Sequence, residues 1–336
     1  MNASSTKSQL VFLLGAGFSI DAASEAGNPL DRATMQPVRY PLVFELLKIC
    51  FEMNTFPPDK SIEDLFQDSI DTGNRKPIES LLEYIMAADY YITPHLVRGG
   101  SHENNAYRKF VRDFPYAPLL TFNYDSLPEI LLLNERFWSP KDGYGIDVKA
   151  GVRRVRDKTN IVNISLRPVL HLHGTPCVYS ATFDIERRSG AKLDMLQLKN
   201  DPAFLFDPDS LGDCFSPFTR INPGVTYTHI SDRVIAPIPN KAVGLTDDFI
   251  KAVYSRAVKS IVAASHIVVI GYSFNQHDRA SYAQLLAAAA NKSILLVAPD
   301  ADSYIDRLAR EHRNILWKVE KRSFKEWVDK GYPGLK

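Results

Sequence analysis

The sequence predicts an α/β protein with a mostly parallel sheet and helices on both faces. Short, continuous apolar runs are typical of strands buried on both faces, and from about residue 247 onward such runs alternate with helical patterns. The 336 residues are 45% hydrophobic and 24% charged, as in ordinary globular proteins. We therefore expect residues 1–336 to form one sheet-based domain that carries insertions.

The first strand is predicted at residues 10–14, Leu-Val-Phe-Leu-Leu, where the apolar run ends at Gly15-Ala16-Gly17. A strand that ends in a glycine turn before a helix is a common beginning of a nucleotide-binding sheet. Helical spacing of apolar residues over about Tyr40–Phe51 and Pro77–Tyr91 then predicts a helical insertion over residues 30–115.

Two more buried strands are predicted in the middle of the chain. One covers Pro118–Phe122 and leads through Asn123-Tyr124-Asp125 into a helical stretch at Leu127–Leu133. The other covers Pro168–His173 and stops at Gly174. Residues 175–245 have no sustained period, which predicts an irregular insertion with short elements.

The C-terminal part has the clearest alternation of helices and strands, which is typical of a parallel sheet with crossover helices. The predicted elements are, in order, helix Asp247–Ala264, strand His266–Ile270, helix Tyr282–Ala290, strand Ser293–Val297, helix Ser303–His312 and strand Ile315–Val319. A terminal helix follows them.

The charge balance gives no general reason to expect nucleic-acid or membrane binding. Lys and Arg number 40 against 39 Asp and Glu, a formal net charge of +1. The densest basic cluster, Arg153–Lys158, contains no aromatic residue and is interpreted as a solvated loop. The first residues are too polar for a signal peptide, so a cytoplasmic protein is expected.

The cysteines do not form a metal or disulfide pattern. Cys50, Cys177 and Cys214 are far apart and include no CxxC pair. A four-thiolate zinc site cannot be built from them, and their number suits a reducing cytoplasm. The sequence therefore predicts no metal.

Four predicted strands end in glycine or polar residues, in the segments GAGFS (15–19), TFNYD (121–125), HLHG (171–174) and GYS (271–273). In open parallel sheets, ligands bind beyond the carboxyl ends of the strands. Each segment also has a structural interpretation. The glycine pair could serve only close packing, and Asp125 could cap the following helix, although capping explains Asn123 less well.

The histidines and later acids are open to the same two interpretations. A buried histidine such as His171 is more often a satisfied core residue than a catalytic one, whereas His173 precedes Gly174 at the strand end and could face a ligand. Asp300, just past a strand, could bind ribose hydroxyls or cap a helix. Asp278, within His277-Asp278-Arg279, is interpreted as a cap with solvated neighbours.

The segments GAGFS, TFNYD, LHG and GYSF, in this order, resemble the sirtuin (Sir2) superfamily, and more specifically the bacterial Sir2-like NAD hydrolase domains of antiphage defence systems. The resemblance implies a Rossmann-like sheet, with NAD as the substrate. Together with the strand-end positions, it indicates Asn123 and His173 as catalytic residues, and as cofactor-binding residues Gly15, Ala16, Gly17, Phe18, Ser19, Thr121, Asp125, Gly271 and Ser273. Asp300 is added to the cofactor-binding residues because it lies just past a strand end.

Two departures from the family pattern affect the expected activity. Sirtuin deacylases carry a zinc ribbon with paired cysteines, which this chain lacks, and this puts deacylation in doubt. The Asp-Phe-Arg segment that follows the glycine loop in the family is also missing, and a loop over Ser24–Tyr40 is expected in its place.

The expected function is cleavage of NAD to nicotinamide and ADP-ribose. Asn123 would hold the ribose or the attacking water, and neutral His173 would orient or deprotonate a hydroxyl or that water. A deacylase or ADP-ribosyltransferase and a non-catalytic NAD or ADP-ribose sensor remain alternatives. Because an unregulated NAD hydrolase would deplete the NAD of its own cell, control by homo-oligomerisation or by a partner is expected. The resemblance implies a HerA-type ATPase or another phage-sensing protein as the partner, with contacts from residues 40–115 or 175–245.

Overall fold

The computed structural model describes residues 10–31, 35–97, 105–139, 142–146, 148–150, 165–175, 178–180, 204–206, 234–239, 241 and 244–335. The basic cluster at Arg153–Lys158, the cysteines Cys177 and Cys214, and most of the predicted irregular insertion lie outside these residues. Cys50 is described, and it is a buried free thiol.

The strands of the described residues are β1 (Leu10–Leu14), β2 (Leu119–Thr121), β3 (Val148–Ala150), β4 (Val169–His171), β5 (Val178–Ser180), β6 (Phe204–Phe206), β7 (His266–Ile270), β8 (Ser293–Val297) and β9 (Leu316–Glu320). Six of them form one parallel sheet in the order β4-β2-β1-β7-β8-β9. The others form a small mixed sheet in the order β3-β6-β5.

The large sheet has the strand order of a Rossmann-like fold. If only its own strands are counted along the chain, their order across the sheet is 3-2-1-4-5-6, the order of dinucleotide-binding sheets. The order reverses between β1 and β7, so the connections leave these two neighbours in opposite directions. A crevice is expected at the carboxyl ends of strands at such a point. The predicted α/β class is confirmed.

The helices are α1 (Ala16–Ile20), α2 (Ala22–Glu25), α3 (Val43–Phe51), α4 (Ile62–Asp71), α5 (Lys76–Val97), α6 (Ala106–Asp113), α7 (Leu127–Asn134), α8 (Asp248–Ala263), α9 (Arg279–Ala288), α10 (Asp302–Glu311) and α11 (Phe324–Asp329). No helix of the described residues is long and apolar enough to cross a membrane.

The predicted strands at residues 10–14, 266–270 and 293–297 are confirmed at the same bounds. The third strand is shorter than predicted, because β4 ends at His171 and a turn follows. His173 therefore lies beyond the sheet rather than on a strand face.

Helices α3, α4 and α5, from the connection between β1 and β2, enclose an apolar cluster of their own. Its buried members are Leu47, Cys50, Ile62, Leu65, Phe66, Leu81 and Ile85. Tyr124 and Ile238 pack against this cluster from the loops near the sheet edge. These helices are thereby joined to the carboxyl ends of the strands, where the predicted site residues lie.

Candidate active site

Glycines bring the ends of β1 and β7 into backbone contact. The Gly15 amide donates to Ile270 O at 2.9 Å, and the Gly17 amide donates to Gly271 O at 2.9 Å. Gly271 has φ +61°, and a Cβ on it would lie 2.4 Å from the Gly17 Cα. Only glycine fits this crossing, so close packing accounts for all three glycines. Ligand binding by them remains a prediction.

Asn123 is fixed to the glycine turn by its side-chain amide. Its Nδ2 donates to Gly15 O and to the Ser19 Oγ, both at 3.0 Å, and its own backbone amide donates to the Thr121 Oγ1 at 3.0 Å. Its amide oxygen makes no hydrogen bond within the described part of the chain. The side chain therefore has one fixed end and one free acceptor.

Ser19 connects Asn123 to Asp125. The Ser19 Oγ donates to the Asp125 Oδ2 at 2.9 Å, while the Asp125 Oδ1 accepts a longer bond of 3.3 Å from the Leu127 amide at the start of α7. The capping interpretation of Asp125 thus describes only part of its bonding. Asp125 is buried behind Ser19, which places it as a support of Asn123.

Burial raises the pKa of Asp125 to about 6, although the Ser19 hydrogen bond and the nearby His171 act in the opposite direction. A second buried carboxyl, Asp89 of α5, accepts from the Tyr40 hydroxyl at 2.6 Å and from the Ser126 amide at 2.9 Å. Burial and then Asp125 raise the pKa of Asp89 well above its ordinary value. The helical insertion thus contributes an acid directly behind the site.

Phe18 and Thr121 are both fully buried. The Phe18 ring packs among Tyr107, Phe110 and Phe324, with its carbonyl accepting from the Tyr107 hydroxyl. These contacts place Phe18 in the core below the turn, where only its backbone is near the sheet edge.

His171 is a satisfied core residue, as the structural interpretation expected. Its Nε2 lies 2.5 Å from the Glu129 Oε1, and its Nδ1 lies 3.1 Å from the Asn123 carbonyl oxygen. Burial opposes a charge on the ring, but the Glu129 carboxylate raises the pKa of His171 above its ordinary value. His171 therefore helps to fix the Asn123 backbone through its contact with the Asn123 carbonyl.

His173 lies in a different environment, past the end of β4. It is only 3% exposed, and its ring lies 4.8 Å from that of Phe122, which stacks on Tyr272 at 4.3 Å. The His173 Nε2 is buried and makes no hydrogen bond to any described residue. Burial, followed by the nearby Lys241 ammonium, lowers the pKa of His173 to about 3. The ring is neutral, with an unpaired nitrogen.

Asp278 occupies the N-cap position of α9 beside the exposed Arg279, as the sequence interpretation expected, but its side chain does not form the cap. Asp278 is buried and makes no capping hydrogen bond to α9. Its Oδ1 instead accepts from the Lys241 Nζ and lies 4.0 Å from the His173 Nε2, and its Oδ2 accepts from the Tyr272 hydroxyl at 3.0 Å. The loop after β7 places this acid against His173.

Lys241 was not among the sequence candidates. It is 5% exposed and comes from the region that was predicted to be irregular, where no periodicity marks a buried lysine. Nearby, the Ile235 amide donates to His173 O at 2.8 Å and the Tyr124 hydroxyl donates to Ile235 O at 2.6 Å. Of Lys241 and Asp278, the two charged residues near His173, only Asp278 had a local sequence signal, because it follows Gly271 by one short loop.

The remaining predicted site residues are exposed to solvent at the carboxyl ends of the strands. Ala16, Ser273 and Asp300 are exposed beyond the ends of β1, β7 and β8. Asp300 does not cap α10 through its side chain, because that helix has no side-chain cap. Within the described residues there is no group of three or more His, Cys, Asp or Glu side chains that could hold a metal ion.

Comparisons with known proteins find similar solved structures. No protein-family profile and no curated protein matches the sequence. A complex of a Sir2 homologue with NAD matches at 16% identity and TM-score 0.36, over 96% of this chain and 86% of that one. A mutant Sir2 homologue with ADP-ribose matches at 16% identity and TM-score 0.39, over 98% and 94%.

Sir2Tm bound to a propionylated peptide matches at 11% identity and TM-score 0.35, over 96% of this chain and 90% of that one. The chain is similar to Sir2 homologues. These matches cover nearly the whole length of the chain. The fold class itself rests on the strand order of the parallel sheet.

Proposed function

We propose that the chain is an NAD glycohydrolase that cleaves NAD to nicotinamide and ADP-ribose. The observation that carries the proposal is the position of Asn123 and His173. They follow the neighbouring strands β2 and β4, beside the glycine crossing of β1 and β7, where the strand order reverses. Ligands of such sheets bind at this reversal, and the Asn123 side chain contacts it through its hydrogen bond to Gly15.

The side chains suit the chemistry of this reaction. Loss of neutral nicotinamide leaves an oxocarbenium-like ribose, which is stabilised by fixed polar groups. Asn123 is held through Nδ2, so its free amide oxygen can accept from a ribose hydroxyl or from the attacking water. The neutral His173 has an unpaired Nε2 that can take the proton of that hydroxyl or water.

NAD enters this proposal as the substrate, and no metal is required. The exposed Asp300 beyond β8 can accept from the adenosine ribose hydroxyls and would repel the 2′-phosphate of NADP. We therefore infer a preference for NAD.

A non-catalytic NAD or ADP-ribose sensor is the second candidate. The observation that favours it is the enclosure of His173, which is 3% exposed and whose neighbour Asp278 is occupied by Lys241. A deacylase has less support, because three cysteines are too few for a four-cysteine zinc site.

The cellular role that we infer follows from the sequence resemblance. NAD hydrolysis would serve antiphage defence in the cytoplasm, controlled by homo-oligomerisation or by a partner such as a HerA-type ATPase. If so, cells that carry the chain with its partner should lose NAD after phage infection, and cells with an Asn123→Ala variant should keep it.

The test is incubation of the purified chain with NAD, followed by chromatography of nicotinamide and ADP-ribose, beside a calorimetric NAD titration. A glycohydrolase releases the two products in equal amounts, and an added acyl-lysine peptide changes neither. Saturable binding with intact NAD would instead support the sensor. Absence of both binding and cleavage would contradict both candidates.

A further inference from the structure

One oxygen of the Asp278 carboxylate faces both the Lys241 ammonium and the ring of His173, the proposed catalytic histidine. The Asp278 Oδ1 accepts a hydrogen bond from the Lys241 Nζ, and the His173 Nε2 lies 4.0 Å from the same oxygen. The other oxygen, Oδ2, is held by the Tyr272 hydroxyl at 3.0 Å. All four side chains are buried. A protonated His173 would therefore have to compete with Lys241 for this acceptor, whereas the neutral Nε2 has no proton to donate to it.

In the described conformation Lys241 holds this acceptor. The His173 Nε2 is left buried and unpaired, and its distance of 4.0 Å from the Asp278 Oδ1 is slightly longer than a hydrogen bond. A carboxylate favours a protonated imidazole and an ammonium disfavours it. Removing the ammonium would both free the acceptor and remove a repelling charge.

We propose that Asp278 is a positioning residue that supports His173 as the base, and that Lys241 withholds this support in the present conformation. The inference rests on the proposed function. When Lys241 leaves Oδ1, a proton from the ribose hydroxyl or water can pass to the His173 Nε2. Asp278 remains ionised throughout and stabilises the imidazolium that forms.

The other groups around His173 do not compete for this role. Tyr124 and Tyr272 face the ring region, and burial followed by the charge of Asp278 raises the pKa of both above the ordinary tyrosine value. Both therefore stay neutral. The Phe122 backbone hydrogen bond favours the protonated ring but does not change with pH. The charge state of His173 thus depends on Asp278 and Lys241.

The test is an NMR titration of histidine-labelled protein, with the His173 signal assigned from a His173→Gln variant. In the wild type this signal should not titrate between pH 5 and 8. In Lys241→Met the pKa of His173 should rise by about 1 to 3 units, the range for a close opposite charge. In the double variant Lys241→Met/Asp278→Asn most of that rise should be absent.

The matched control is Lys251→Met, which removes an exposed lysine of α8 that pairs only with Asp248 at 3.5 Å among the described residues. It should leave the His173 signal unchanged. A retained backbone NMR spectrum confirms that a variant is folded. If Asp278→Asn unfolds, Asp278→Glu takes its place in the double variant with Lys241→Met, where part of the rise in the pKa of His173 should be present. An unchanged pKa of His173 in folded Lys241→Met overturns the inference.

Kinetics add a second readout. The acid limb of the kcat/KM profile for NAD should move upward with the pKa of His173 in Lys241→Met, and kcat should fall on the order of 10²-fold in Asp278→Asn with KM little changed. If the NMR shift occurs but no variant cleaves NAD, the proposed function fails while the competition for Oδ1 stands. If NAD is cleaved without the shift, only this inference fails.

Discussion

His171 and His173 are two residues apart, both fully enclosed, and their surroundings are opposite. Both nitrogens of His171 have partners, Glu129 on one side and the Asn123 carbonyl on the other. The Nε2 of His173 has none among the described residues, and its nearest acid is occupied by Lys241. The pKa of His171 is raised by its carboxylate and that of His173 is lowered by burial.

Burial alone therefore does not distinguish a structural histidine from a candidate catalytic one. The partners of the ring nitrogens distinguish the two residues, because a satisfied ring stabilises the fold, whereas an unpaired ring nitrogen can still take a proton. The turn that ends β4 at His171 produces the difference, since it directs the first ring toward α7 and the second toward the loop after β7. Substitutions at the two positions should therefore affect different properties.

The largest expected effect on stability comes from His171→Leu. The variant leaves Glu129 buried without its partner, and loss of one member of a buried pair costs about 3–5 kcal/mol. Urea unfolding followed by circular dichroism measures the change. The control is His266→Leu, at the exposed start of β7, which should stay within about 0.5 kcal/mol of the wild type. A cost below about 1 kcal/mol for His171→Leu would remove the distinction between the rings.

A somewhat smaller effect is expected from Asp125→Asn, and it depends on pH. Burial raises the folded-state pKa of Asp125 from 3.8 to about 6, so the stability that this group contributes is complete below the lower value and is lost as the pH rises through the higher one. The variant cannot ionise, and its Oδ1 can still accept from Ser19.

Unfolding midpoints measured from pH 3.5 to 7.5 test this. The stability of the wild type relative to Asp125→Asn should fall by on the order of 2–3 kcal/mol between about pH 4 and pH 6. Parallel curves for the two proteins would mean that Asp125 is not desolvated as described.

The smallest stability effect is expected from His173→Leu. The change removes a buried nitrogen that has no partner and keeps a similar volume against Phe122, but it also removes the ring's hydrogen bond to the Phe122 backbone, so stability should change by about 1 kcal/mol at most. The same urea experiment measures it. A loss as large as that of His171→Leu would show that His173 is also a structural residue.

Much of the fold could be predicted from local sequence patterns. The runs at residues 10–14, 266–270 and 293–297 have the composition and length of buried strands, and their bounds were predicted correctly. The end of β4 was misplaced by two residues, because Leu172-His173 continues the apolar alternation while Gly174, at φ +81°, follows a turn.

The residues of the candidate site could be identified from the sequence only where they lie at strand ends. Asn123 and His173 stand next to polar or glycine stops, which are local signals. Asp278 has the local appearance of a helix cap, and its contact with His173 depends on the pairing of distant strands. Lys241 has no local signal at all. Side-chain pairs between distant segments are set by tertiary packing rather than by sequence period.

The most direct test of the central claim is the rate of nicotinamide release from NAD by the wild type, Asn123→Ala and His173→Ala, with His266→Ala as the control at the opposite end of the sheet. We expect release by the wild type and the control, and a loss on the order of 10²-fold or more in the two site variants with folding retained. Equal rates in His173→Ala and His266→Ala would contradict it.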